Sequence, residues 1–312
     1  MPYVTTQDNC KLYVKDWGTG RPVILIHGWP LSADSFDDLS MAIADSGMRA
    51  IAYDRRGFGR SEQPWSGYDY DTLADDLASV IQQSGSDDAT IVGFSMGGGE
   101  VARYMSRHGA RNVRSAILIA SVVPYLAKSD DNPEGVDRGT MDKMTMGLEK
   151  DRAEFFKGFF KDFYGVGLMS HPVSDGMLEW SRQVAMQASL RATLACAKAF
   201  ATTDFRQDLG SFHVPTLVIH GDADKTVPIA ATARKAAEGI RDSTLIEYDD
   251  APHGLFATHK DRLTDDVVRF LRGERVSRRS LTRDSAMRAG DAEAGMQATA
   301  RPHSSGAAAT GI

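Results

Sequence analysis

The sequence predicts an α/β fold, with a mostly parallel sheet flanked by helices and a helical cap insertion. Two observations predict the sheet: short apolar runs recur along the chain, and amphipathic helical segments separate them. The run PVILIH (22–27) is continuously apolar, which is typical of a strand that is buried on both faces. A third observation predicts the insertion. Residues 122–205 contain helical patterns but no clear buried strand, and the strand–helix alternation resumes after them.

The part of the chain before the insertion contains the first strands and helices. Its first segment, CKLYVKDW, alternates between polar and apolar residues, which indicates an antiparallel strand at the edge of the sheet. The helix over 70–85 is amphipathic, because its apolar residues recur at helical spacing. The buried strands are predicted at 22–27, 48–54, 89–94 and 113–120, and the helices at 35–47, 70–85 and 98–109.

The insertion and the segments after it complete the predicted domain. Strands are predicted at 214–222 and 243–249, and helices at 230–239 and 262–271. An insertion between two strands would lie over the carboxyl ends of the sheet, where open α/β sheets bind ligands. Its clustered aromatic residues are predicted to form the core of the cap rather than to contact substrate; they are Phe155, Phe156, Phe159, Phe160, Phe163 and Tyr164.

A change of composition marks the end of the predicted domain. From Gly273 onward the chain is rich in Arg, Ser, Ala and Gly and has almost no large apolar residue. Such a segment has too little apolar surface to form a core. We therefore predict a folded domain over residues 1–272 and a disordered tail over residues 273–312.

Composition and charge argue against several functional classes. The net charge of −6 gives no electrostatic support to a nucleic-acid partner. No apolar run reaches the roughly 18 residues of a membrane span, and the first residues lack the pattern of a secretory signal. Cys10 and Cys196 have no metal-type spacing, so they predict free thiols in a reducing compartment. We expect a cytoplasmic protein with neither a nucleic-acid nor a membrane partner.

The stretch GFSMGGGE, residues 93–100, places one serine among four glycines where a predicted strand becomes a helix. Glycine costs backbone entropy in a regular element, so four of them require a reason. One explanation is a tight glycine-rich turn. The other is a nucleophile elbow, G-x-S-x-G, in which Ser95 lies on a strained turn with its hydroxyl exposed.

A serine nucleophile needs a base to take its proton and an acid to orient that base. The loop after strand 214–222 contains Asp222 and Asp224, and the loop after strand 243–249 contains His253. Both loops leave the edge of the sheet from which Ser95 would project. Asp222 follows its strand so closely that we expect it to cap the amides of its own loop. Asp224 is the predicted orienting acid, although either residue fits the spacing.

Attack on a carbonyl also requires donors for the negative charge that develops on its oxygen. The N–H of Met96, the residue after the serine, is one predicted donor, at the start of a helix. The second should come from the loop GWPLS after strand 22–27. Pro30 has no N–H, so the Trp29 amide is the predicted second donor, with its indole lining the pocket.

Five segments together resemble the α/β-hydrolase superfamily: LIHGWP, YDRRGFGRSEQP, GFSMGGGEVARY, IHGDADKTVP and APHG. HGWP and DRRGFGRS are most similar to the cofactor-free bacterial haloperoxidases, also called non-haem chloroperoxidases or perhydrolases, and to the arylesterases. The resemblance extends from about Thr5 to Leu271 and has no counterpart for the tail. It implies the α/β-hydrolase fold, the triad of Ser95, Asp224 and His253, and an oxyanion hole from Trp29 and Met96.

The activity that the resemblance implies is hydrolysis of carboxylic esters through an acyl-enzyme. Where hydrogen peroxide replaces water, a peracid forms, and this is the basis of perhydrolase and cofactor-free haloperoxidase activity. The implied partners are a small acyl substrate and hydrogen peroxide. No cofactor is implied, no H-x-x-x-H pair indicates a metal, and a homo-oligomer stays open.

Two other functions on the same fold stay open, namely a C–C bond hydrolase and a ligand receptor with slow turnover. A nucleotide-binding role is not indicated, because neither G-x-x-x-x-G-K-[ST] nor G-x-G-x-x-G occurs.

Overall fold

A computed structural model describes residues 2–276, which form one eight-stranded sheet and the helices packed on it. The strands are β1 (Tyr3–Thr5), β2 (Lys11–Gly18), β3 (Pro22–Ile26), β4 (Arg49–Tyr53), β5 (Ala89–Phe94), β6 (Val113–Ile119), β7 (Thr216–Gly221) and β8 (Ser243–Tyr248). The helices are α1 (Asp37–Asp45), α2 (Tyr70–Gln83), α3 (Met96–Arg107), α4 (Arg138–Tyr164), α5 (Asp175–Gln187), α6 (Leu190–Thr202), α7 (Ala233–Gly239), α8 (Leu255–Thr258) and α9 (Lys260–Leu271).

The strand order is β1-β2-β4-β3-β5-β6-β7-β8, and the pairs from β4 to β8 are all parallel. Strands β3, β5 and β7 are buried at every position, and for β3 its continuous apolar sequence predicts this. The predicted fold class is therefore confirmed. None of the helices within residues 2–276 is both long and apolar enough to cross a membrane.

The prediction that segment 10–17 forms the edge strand is wrong. Strand β2 is antiparallel to β4, as its alternating sequence indicates, but β1 pairs with its other side and forms the edge. Residues Tyr3–Thr5 are too few to show a period of two, so the sequence gives no signal for β1.

The topology creates a crevice between β3 and β5. From β3 the chain moves to β4 on one side, and then crosses to β5 on the other side of β3. Open α/β sheets bind their ligands outside the carboxyl ends of the strands at such a reversal. Ile26, at the end of β3, pairs in register with Gly93 of β5. The loops that follow these two strands therefore start at nearly the same level along the strand direction.

Between β6 and β7 the chain forms α4, α5 and α6. Within the predicted helical insertion, the segment WSRQVAMQASLRATLACAKAF contains parts of two helices, because Ser189 begins a new one. Its hydroxyl accepts a hydrogen bond from the amide of Ala192. Helix α4 is also interrupted, since Asp151 has φ −159° and ψ 92°. The Asp151 carboxylate accepts from the amide of Glu154 and so caps the second half of α4.

The C-terminal limit of the described residues is Val276, whose side chain is buried. The first compact unit of the chain extends to this residue. Residues 277–312, most of the predicted disordered tail, lie outside the described residues. The domain boundary at residue 272 stays a prediction.

The segment DRRGFGRS after β4 supplies buried charges that join three elements. Arg55 forms a buried ion pair with Glu100 of α3, and its guanidinium also donates to the carbonyl of His27 at 2.6 Å. The hydroxyl of Tyr53 donates to the second oxygen of Glu100 at 2.8 Å. Breaking such a pair by removing one partner costs about 3–5 kcal/mol. This network fixes the end of β3 and the start of α3 relative to each other.

Candidate active site

The structure brings Ser95, His253 and Asp224 together from the ends of three strands. Ser95 follows β5, Asp224 follows β7 and His253 follows β8. The Ser95 Oγ lies 2.9 Å from His253 Nε2, and His253 Nδ1 lies 2.6 Å from Asp224 Oδ2. Because a carboxylate only accepts, His253 donates from Nδ1, and Nε2 is then free to accept the serine proton. All three side chains are buried.

The turn at Ser95 is strained, as a nucleophile elbow requires. Ser95 has φ 55° and ψ −118°, a conformation that non-glycine residues adopt only at an energetic cost. Ser95 is only 6% exposed, which is less than the elbow motif predicts, because His253 and Gly28 lie against it. The turn places the hydroxyl against the His253 imidazole rather than in open solvent.

The glycines of GFSMGGGE allow α3 to approach the sheet. A Cβ on Gly93 would lie 2.5 Å from the carbonyl oxygen of Gly97. A Cβ on Gly97 would lie 2.3 Å from the carbonyl oxygen of Ile26 in β3. Both positions therefore exclude any side chain. The tight turn and the elbow are two aspects of one geometry.

This close approach predicts that Gly97→Ala destabilises the protein. The added methyl would overlap the backbone of β3, which cannot rotate away, and overpacking of this kind costs about 1–3 kcal/mol. Urea unfolding followed by circular dichroism would measure the loss in free energy of unfolding. Gly158→Ala is the matched control, because a Cβ at this position in α4 meets nothing within 4 Å. Since Ala favours the helix more than Gly does, this substitution should increase the free energy of unfolding by at most about 1 kcal/mol. Equal stability of Gly97→Ala and wild type would contradict the packing argument.

Asp224 carries four polar contacts on its two carboxylate oxygens. Oδ1 accepts from the amides of Thr226 and Val227 at 2.9 and 2.8 Å, and Oδ2 faces His253 and His220. Burial raises the pKa of Asp224, but the two imidazoles outweigh this effect and hold the pKa well below its usual value. The carboxylate is therefore ionised at neutral pH.

Asp222 does not cap its own loop, contrary to the prediction. Its Oδ1 accepts a hydrogen bond of 2.7 Å from the amide of Asp250, in the loop that precedes His253. The amide-capping role belongs to Asp224, which binds two amides of the 224–227 loop while facing His253. The sequence spacing could not separate these roles, because both carboxylates leave the same strand end.

The two predicted oxyanion donors follow strands that pair in register. Trp29 comes three residues after Ile26, and Met96 comes three residues after its partner, Gly93. Met96 is the first residue of α3, and the first N–H groups of a helix have no acceptor within it. The indole N–H of Trp29 donates to the carbonyl of Thr193 in α6 at 3.0 Å. This bond ties the loop after β3 to the insertion.

Aromatic rings enclose the histidine. The ring of Phe163 lies 4.8 Å from the imidazole of His253 in an edge-on arrangement, and the ring of Phe94 lies 5.2 Å from it. The prediction of an aromatic cap core is confirmed for the fully buried members of the cluster, Phe156, Phe160, Phe163 and Tyr164. The contacts of Phe94 and Phe163 with the imidazole were not predicted, since no local sequence pattern encodes them.

A strained serine turn after an interior strand of a mostly parallel sheet is the arrangement of α/β hydrolases. A family model described as the α/β hydrolase fold matches residues 21–260. The chain belongs to the α/β-hydrolase family.

Within this family, the chain is similar to proteins named for peroxidase and esterase activities. It is 42% identical over 273 residues to the non-haem chloroperoxidase CPO-A1 of Kitasatospora aureofaciens, covering 87% of this chain and 99% of that protein. It is 39% identical over 276 residues to the bifunctional esterase/perhydrolase DCH of Acinetobacter calcoaceticus, covering 87% and 100%. A solved bromoperoxidase from Bacillus anthracis is 43% identical with a TM-score of 0.84, covering 86% and 99%. These findings confirm the predicted resemblance.

Proposed function

We propose that this protein hydrolyses carboxylic esters through an acyl-enzyme on Ser95, and that hydrogen peroxide also accepts the acyl group to give a peracid. The observation that carries the proposal is the continuous contact from Ser95 Oγ through the His253 ring to Asp224, at 2.9 and 2.6 Å. These distances lie in the range in which a base takes a proton from a hydroxyl.

In the first half-reaction, Ser95 Oγ bonds to the carbonyl carbon of the ester while its proton passes to His253 Nε2. The carbonyl oxygen becomes an oxyanion, which the N–H groups of Met96 and Trp29 would meet. Asp224 stabilises the imidazolium that forms and keeps Nε2 directed at the serine. The tetrahedral intermediate then collapses, the alcohol leaves with the proton from His253, and the acyl group stays on Ser95.

In the second half-reaction, His253 takes a proton from water or from hydrogen peroxide as that molecule attacks the acyl carbon. Water releases a carboxylic acid, and hydrogen peroxide releases a peracid; in both cases Ser95 recovers its proton from His253. The peracid oxidises halide to hypohalous acid away from the protein and returns to the carboxylic acid. The names of the similar chloroperoxidase and esterase/perhydrolase support both outcomes.

Side-by-side assays of p-nitrophenyl acetate with and without hydrogen peroxide test this proposal. We expect sustained release of p-nitrophenol in both assays, and bromination of an indicator dye only when an acyl donor (the ester or acetate), hydrogen peroxide and bromide are all present. EDTA should not change any of these rates. A single burst that stops after one turnover would favour the slow-turnover receptor. Steady ester hydrolysis without bromination would support the esterase activity and contradict the perhydrolase activity.

The two cysteines bear on the cellular location of the protein and on its use of hydrogen peroxide. Cys10 and Cys196 are both free and buried, which supports a reducing compartment such as the cytoplasm. Burial raises the pKa of the Cys10 and Cys196 thiols, the first to about 11 and the second to about 12, so neither is a reactive thiolate at neutral pH. Hydrogen peroxide would therefore meet the acyl-enzyme rather than a cysteine. A homo-oligomer stays a prediction.

A further inference from the structure

A second buried histidine contacts the carboxylate that orients His253. His220 is the fifth residue of β7, four residues before Asp224, and its side chain is fully buried. Its Nε2 lies 2.8 Å from the carbonyl oxygen of Val227 and 3.2 Å from Asp224 Oδ2. Oδ2 is the same oxygen that contacts His253 Nδ1.

The contacts of His220 determine its tautomer. A backbone carbonyl only accepts hydrogen bonds, and the ionised carboxylate of Asp224 also only accepts. Nε2 faces both oxygens and must therefore carry the proton. The other ring nitrogen, Nδ1, has no hydrogen-bond partner within residues 2–276. The ring is thus held by its Nε2–H alone, at the carbonyl of Val227 and beside Asp224.

These contacts close a ring around the 224–227 loop. The amide of Val227 donates to Asp224 Oδ1 at 2.8 Å, and the carbonyl of Val227 accepts from His220. His220 Nε2 then returns to Asp224 through the 3.2 Å contact with Oδ2. Rotation of the carboxylate would break contacts at both of its oxygens. Oδ2 is therefore fixed at the position where it meets His253.

We propose that His220 is a positioning residue for acyl transfer, which through its Nε2–H fixes the Asp224 carboxylate against His253. This inference rests on the proposed function of the Ser95 site. Within residues 2–276, the charged and titratable groups that face the carboxylate are His220, from strand β7 that precedes Asp224, and His253, from the loop after β8. His220 acts only through Asp224, so its loss should lower kcat and leave the KM for small esters unchanged.

The test compares two substitutions of His220 in the full chain. His220→Leu removes the donor. His220→Gln keeps a donor, because the side-chain amide N–H of glutamine lies about as far from the backbone as His220 Nε2 does. We expect His220→Leu to lower kcat for p-nitrophenyl acetate by about 10- to 100-fold, the size of loss found when hydrogen-bonding partners of metal-ligating residues are removed. His220→Gln should recover most of this loss. If His220→Leu does not fold, His220→Asn replaces it, because its shorter amide ends at the Nδ1 position.

A control pair separates this effect from the general cost of losing a histidine. His108 Nε2 lies 2.9 Å from Asp75 Oδ1, so His108→Leu also removes a histidine–aspartate contact, but a partly exposed one between α2 and the residue that follows α3. We expect this variant to keep wild-type kcat.

Nitrogen chemical shifts of the histidine rings in the wild-type protein report which ring nitrogen of His220 carries the proton. This measurement does not require any variant to fold.

Three results would overturn the inference. They are a wild-type kcat in the leucine or asparagine variant, an equal loss in His220→Leu and His220→Gln, and a wild-type His220 ring with its proton on Nδ1. Failure of the underlying function has a different signature, because Ser95→Ala would then keep activity. If Ser95→Ala is inactive and His220→Leu is fully active, only the role of His220 is overturned.

Discussion

Ser95→Ala is expected to lower kcat for p-nitrophenyl acetate by about 10⁶-fold while the protein stays folded. Removal of the nucleophile of a serine triad costs a factor of this order, because the base then has no hydroxyl to activate. The only side-chain hydrogen bond lost within residues 2–276 is the one to His253, which contributes about 1 kcal/mol to stability. Steady-state kinetics would measure the loss in kcat, and thermal unfolding of the same preparation would measure the change in stability.

Ser79→Ala is the matched control for this prediction. Ser79 is also a buried serine, but its hydroxyl donates to the carbonyl of Asp75 within its own helix. Its replacement should leave kcat at the wild-type value. Substantial activity in Ser95→Ala, with the melting temperature unchanged, would remove Ser95 from the reaction.

Asp224→Asn has the second largest expected effect, a loss of about 10⁴-fold in kcat. The amides of Thr226 and Val227 require an acceptor at the Oδ1 position, so the asparagine NH₂ would turn toward His253. His253 would then accept at Nδ1 and carry its proton on Nε2, where it cannot take the proton of Ser95. Steady-state kinetics would show the loss in kcat rather than in KM.

Asp222→Asn controls for the choice between the two aspartates. Asp222 is exposed and accepts from the amide of Asp250, so its loss should change kcat only a few-fold, within about 1 kcal/mol of transition-state free energy. A larger loss in Asp222→Asn than in Asp224→Asn would reverse the assignment of the orienting acid.

The lowered pKa of Asp224 also gives the Asp224→Asn comparison a pH dependence. Because its pKa is lower in the folded than in the unfolded protein, its contribution to stability is complete above the ordinary Asp pKa of about 3.9. That contribution is lost as the pH falls through the folded value. The difference in free energy of unfolding between wild type and Asp224→Asn should therefore shrink in strong acid and stay constant around neutral pH.

The sheet could be predicted from the sequence because its strands carry a local signal. Strand β5 is mostly apolar and ends at a glycine-rich turn, so both the strand and the position of Ser95 follow from consecutive residues. Strand β1 has only three residues, and the break at Ser189 depends on one hydroxyl that caps a helix. Short elements and single caps leave no periodic pattern.

The site could be predicted only as far as its residues follow predicted strands. Ser95 and His253 are 158 residues apart in the chain. The alternation of strands and helices predicts a parallel sheet, and so predicts that their loops leave the same edge; the strand order itself is visible only in the structure. The contact of His220 with Asp224 and the enclosure of His253 by Phe163 depend on side-chain directions across the sheet edge. No spacing in the sequence encodes such contacts.

The measurement that tests the central claim most directly is covalent trapping of the nucleophile. Phenylmethanesulfonyl fluoride transfers its sulfonyl group to an activated serine oxygen and releases fluoride, with the proton passing to the base. Intact mass and peptide mapping should show one sulfonyl group per chain, on Ser95, with little modification in His253→Ala at the same reagent concentration and time. A label on another residue, or equally fast labelling of Ser95 without His253, would contradict the claim that the imidazole activates this serine.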